Sequence, residues 1–94
     1  MLQHPLSNDD AKRLIAQILK TGDVSFFNHA LDEMANDGLT TVDAANVLRA
    51  GVVEFCEEVS RTWRYRVRTS RMTFVVAFRS EHALTVVTAW RKAR

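Results

Sequence analysis

The sequence predicts an α+β domain in which three N-terminal helices pack on a four-stranded antiparallel sheet. Three observations carry this. Apolar residues recur at helical spacing up to Gly51 and alternate after it. The helical stretches have Ser or Thr near their starts and Gly at their ends. The alternating stretches are joined by only a few residues, which makes consecutive strands antiparallel neighbours.

The first helix spans about 7–21: Ser7 is its N-cap, Asp9 and Asp10 complement its dipole, and Gly22 stops it. Ala11, Leu14, Ile15, Ile18 and Leu19 form its apolar stripe. Ser25 is the expected cap of a second helix, with Phe27, Ala30, Leu31 and Met34 as its apolar stripe and Gly38 at its end. Thr40 or Thr41 caps a third, with Asp43 in its first turn and Gly51 after it. Strands are then expected at 52–60, 62–69, 72–80 and 83–92. At 94 residues this is a single domain over 1–94, with material for one core.

Charge divides the chain. Residues 1–60 hold four bases and ten acids, and residues 61–94 hold nine bases and one acid, Glu81. The formal net charge of +2 is thus the sum of −6 and +8. On the strand TWRYRVRT, Arg64, Arg66 and Arg68 share one face, roughly 6.5–7 Å apart, a spacing close to that of phosphates along an extended nucleic-acid strand. Arg71, Arg79, Arg91, Lys92 and Arg94 would widen this track. A second account stands beside the first: Glu54, Glu57 and Glu58 on the preceding strand would pair with the row across the hairpin. Alternation sends Trp63 and Tyr65 to the opposite face, under the helices, and leaves Trp90 near an edge. Exposed aromatics beside arginines stack unpaired bases.

The other chemistry-bearing groups are sparse. His4, His29 and His82 have no metal-ligand spacing, so neither a metal nor another cofactor is expected. Lone Cys56 allows no internal disulfide and reads as a small buried hydrophobe. No apolar run reaches the roughly 20 residues of a membrane span, and no signal peptide is visible, so the expectation is a cytoplasmic protein with no membrane partner.

Several segments resemble the RelE/MqsR/BrnT toxin superfamily. They are His29-Ala30-Leu31-Asp32-Glu33-Met34, Gly38, Thr40 to Asp43, Arg64-Tyr65-Arg66-Val67 and Val86-Val87-Thr88-Ala89-Trp90-Arg91. The likeness runs over residues 25–92, and the first helix resembles the extra N-terminal helix of the MqsR branch. The Arg usual in the first motif is Glu33 here. The resemblance implies a RelE/MqsR-like fold and a metal-independent endoribonuclease that cleaves mRNA, on or off the ribosome, and is held by a cognate antitoxin protein. By residue type and place, the candidates for such catalysis are Tyr65, His29, His82 and Arg79, and those for RNA contacts are Arg64, Arg66, Arg68, Arg71, Arg91 and Lys92. The readings that stand against it are a non-catalytic module binding nucleic acid or protein on the same fold, and an oligomer in which acidic helices meet a basic sheet of another copy.

Overall fold

The computed structural model describes residues 2–92, so Arg94 lies outside it. Helix α1 runs Asn8–Thr21, strand β1 Asp23–Phe26, helix α2 Asn28–Asn36 and helix α3 Thr41–Ala50. Strands β2 (Val52–Val59), β3 (Thr62–Arg68), β4 (Met72–Ser80) and β5 (Ala83–Arg91) follow.

Two of the three helix starts follow their caps. The Ser7 side chain accepts the Asp10 N–H at 3.1 Å. Thr40 and Asp43 form a reciprocal capping box at the start of α3. The other end of α3 is closed from a distance: the Lys12 ammonium donates to the carbonyls of Arg49 and Gly51 at 2.7 and 2.6 Å. A cation there satisfies carbonyls that the helix leaves open. Burial lowers the pKa of this ammonium from its ordinary value.

Two expectations are corrected. Ser25 caps no helix; α2 begins at Asn28 after Phe27, with no side-chain cap. Ser25 belongs to β1, and its hydroxyl meets that of Thr85 at 2.9 Å. The sheet among the described residues therefore has five strands rather than four, in the order β1-β5-β4-β3-β2. It is mixed, because β1 lies parallel to β5 while the other pairs are antiparallel.

All three helices supply the core on one sheet face. Register places Tyr65 beside Cys56 and Val76, Val67 beside Phe74, Phe74 beside Ala89, and Leu84 between Phe78 and Val24. Against them pack Ala11, Ile15 and Ile18 of α1, Ala30 and Met34 of α2, and Ala44, Val47 and Leu48 of α3. Each large aliphatic side chain buried this way contributes about 1.5–3 kcal/mol. The other sheet face carries no helix from the described residues. No helix among them is long and apolar enough to cross a membrane.

Candidate nucleic-acid interface

The helix-free face is built by alternation. Arg64, Arg66 and Arg68 project from β3, Thr73, Val75, Ala77 and Arg79 from β4, and Thr85, Thr88 and Trp90 from β5, opposite to the core residues between them. Long side chains lie down on this face. Thr73 stands in register between Arg68 and Trp90 and is only 2% exposed; Thr85 is similarly buried. The Nε atoms of Arg64 and Arg66 are buried as well, and that of Arg64 has no hydrogen-bond partner among the described residues. The Arg66 guanidinium lies over the Trp90 ring, 5.4 Å from its centroid, a cation–π contact.

Of the three glutamates on β2, Glu54 forms an ion pair with Arg68. A register shift between Val53 and Phe55 makes Glu54 the extra residue of a bulge, which re-aims its side chain. Glu57 stands across from Arg64, and Glu58 across from Trp63.

Arg79 forms a second cluster nearer β1. Its Nε donates to the Thr85 hydroxyl at 3.0 Å, and its guanidinium sits 5.4 Å from the centre of the Phe27 ring. Phe27 is exposed, so this aromatic–guanidinium pair is open to solvent.

The remaining site residues fall elsewhere. Tyr65 is fully buried on the helix side, its ring 5.2 Å from that of Phe78. Its hydroxyl accepts the Leu6 N–H at 2.9 Å and meets His4 Nδ1 at 2.7 Å. Burial, foremost, pushes its phenol pKa up. His29 is exposed on α2 and pairs with Glu33 one turn on, at 3.0 Å. Glu33 is thus the partner of His29 on the same helix. Arg91 is turned away from the arginine row. Its backbone N–H donates to the Asp37 carboxylate at 2.8 Å, and its Nε donates to the Asp37 carbonyl at 3.1 Å, so it closes the end of α2. Arg71 is exposed in the β3–β4 turn, where its carbonyl accepts the Lys92 N–H at 2.8 Å, placing two bases together at that end of the sheet.

An open cleft of about 500 Å³ lies at the β4–β5 turn, lined by Leu2, His4, Phe78, Arg79, Ser80, Glu81 and His82. It joins Arg79 and His82, both expected at a site, to His4, which was not. The turn is tied down: the His82 carbonyl accepts the Asp23 N–H at 2.9 Å, and the His82 N–H donates to Ser80 Oγ at 3.0 Å. Gly22 packs so closely on the His82 carbonyl that a Cβ there would collide with it. Among the described residues, no three His, Cys, Asp or Glu side chains gather so as to hold a metal ion. No protein-family model, curated protein or solved structure matches this chain.

Proposed function

We propose that this protein acts on single-stranded RNA through its helix-free sheet face, as a RelE/MqsR-like toxin that cleaves mRNA and is neutralised by an antitoxin. The observation that carries the reading is the row Arg64, Arg66 and Arg68 beside Trp90 on an uncovered sheet. Arginine forks bind phosphates, and an aromatic at the same face receives an unpaired base. The Arg66–Trp90 contact holds the guanidinium in place before RNA arrives, so less side-chain freedom is lost on binding.

Chemistry at the sheet would consist of orienting the ribose 2′-OH toward its own phosphate while guanidinium groups stabilise the developing charge. Binding to a single-stranded RNA oligonucleotide as a function of salt tests the reading. The expected result is a steep fall of affinity with salt, a shallower slope in Arg66→Gln, and a roughly 10- to 100-fold loss of affinity in Trp90→Ala. Affinity insensitive to salt and to both substitutions would refute it.

A second reading, a non-catalytic RNA-binding module, is favoured by one placement. Tyr65 is sealed on the opposite sheet face from the arginines, and His29 is engaged with Glu33. Binding with no cleavage of mRNA, free or on ribosomes, selects this reading.

A further inference from the structure

We infer that the groove between α1 and α3 is a docking site for an acidic amphipathic helix of another protein, whose apolar side chains seat on Ala16, Leu19 and Ala45 and whose carboxylates meet Lys20 and Arg49. The site lies on the helical side of the sheet and does not depend on the RNA reading of the opposite face.

Charge is the first observation. Residues 1–60 sum to −6, yet all four of their bases sit on these two helices. Residues 11–21 and 44–50 hold Lys12, Arg13, Lys20 and Arg49 and no acid, a local charge of +4. The acids of the two helices are confined to their starts, as Asp9 and Asp10 on α1 and Asp43 on α3. Asp43 is spent on the capping box, and Asp10 pairs with Arg13. Lys20 and Arg49, both exposed, have no carboxylate partner among the described residues. Arg49 donates to a neutral group, Asn46 Oδ1, at 2.5 Å, which steadies the guanidinium and leaves most of its donors open.

Shape is the second. The groove encloses about 300 Å³ and is lined by Ala16, Leu19, Lys20, Ala45 and Arg49. Two of its three apolar residues are alanines, so the facing helices leave room that a partner's longer side chain would fill. Val42, one turn before Ala45 and 66% exposed, extends the apolar strip along α3. The walls are fixed in advance: the Lys12 ammonium crosses from α1 to the Arg49 and Gly51 carbonyls at the end of α3. A groove already formed loses little freedom when it is filled. A helix with apolar residues on one stripe fits a groove of this kind, and acids flanking the stripe reach the two bases. Like charge turns away a basic helix. The lining holds no aromatic ring, so an unpaired base has nothing to stack on here.

The test uses the isotope-labelled full chain and a synthetic helical peptide with leucines at i, i+3, i+4 and i+7 and glutamates on both flanks. Amide signals of Ala16, Leu19, Lys20, Ala45 and Arg49 should shift together and saturate. Lys20→Glu and Arg49→Glu, at exposed positions, should melt as wild type does and bind the peptide roughly 10-fold more weakly. Ala16→Gln, whose longer side chain covers the floor, should weaken it as well. A scrambled peptide of the same composition, without the apolar stripe, should bind far more weakly. Single-stranded RNA added to the saturated complex should leave the peptide in place. The inference is overturned if the groove signals do not move, if the shifts fall on β3 to β5 instead, or if the scrambled peptide binds equally well. It is also overturned if RNA or phosphatidylglycerol vesicles take the peptide's place, or if the groove signals move with protein concentration alone, which would seat a second copy there. A protein that binds no RNA would end the sheet reading, and the peptide titration would still decide the groove.

Discussion

Removing one oxygen atom, by Tyr65→Phe, tests how the N-terminal segment is joined to the sheet. The ring keeps its packing against Phe78, so the change isolates the hydroxyl. Two hydrogen bonds are lost, to Leu6 N–H at 2.9 Å and to His4 Nδ1 at 2.7 Å. Each has a net value of about 0.5–1.5 kcal/mol, and a donor left unsatisfied in a partly buried position adds to the cost. The expected loss is therefore about 2 kcal/mol, or roughly 8–16 °C in Tm for a domain of this size. Chemical and thermal denaturation measure it.

The same hydroxyl gives a signature in alkali. Burial raises the folded-state pKa of the phenol above its ordinary value of 10.0. Its contribution is thus fully present below the unfolded-state pKa and is lost as pH rises above it, because the unfolded chain releases the proton first. The sequence holds one tyrosine, so tyrosinate absorbance reports Tyr65 alone. In the native protein this absorbance should rise later than in the urea-unfolded chain, together with loss of secondary structure. Smooth ionisation at the unfolded-chain pH with the fold intact, or unchanged stability in Tyr65→Phe, would refute the reasoning.

Two further outcomes follow from single contacts. Glu54→Gln releases Arg68 from its ion pair, so RNA affinity should rise and its salt slope should steepen by roughly 0.7, the contribution of one added phosphate contact; a titration showing no change would mean that Arg68 does not face the RNA. Gly22→Ala pushes on the His82 carbonyl and should cost about 1–3 kcal/mol by overpacking while disturbing the β4–β5 turn; unchanged melting and an unshifted amide signal for His82 would contradict the close approach.

What the sequence made legible was local. Ser7 and Thr40 announced their helices because a cap acts within one turn. Alternation in TWRYRVRT separated Tyr65 from the arginines before any fold was known, and the structure keeps them on opposite faces. What stayed hidden depended on partners far along the chain. Strand β1 is four residues long, with polar residues at alternate positions, and becomes a strand by pairing with residues 83–86. His4 meets Tyr65, 61 positions away. Arg91 sits among bases in sequence, yet Asp37, 54 positions earlier, claims it as the close of a helix. Trp90 meets Arg66 across an intervening strand, a contact that no spacing rule anticipates.

The division of charge at residue 60 becomes a division of layers. Most of the acids lie on helices or their turns, and the core separates those helices from the arginine row. An acid on the far side of a packed core does little for an arginine on the near side, because an interaction between exposed charges fades over roughly 8–10 Å at ordinary ionic strength. Neutralisation from within therefore rests on β2, whose bulge sends Glu54 to Arg68. Arg64 keeps a buried Nε with no hydrogen-bond partner among the described residues, Arg66 is laid on an indole, and Arg79 is laid on a phenyl ring. Stacked guanidinium groups retain their positive charge, and stacking limits their rotamers, so the face is both cationic and pre-arranged. A second copy presenting its acidic helices would also satisfy the charge, but acidic side chains offer the indole of Trp90 no ring to stack on. A polyanion that carries its own aromatic groups accounts for both, and single-stranded RNA is such a polymer.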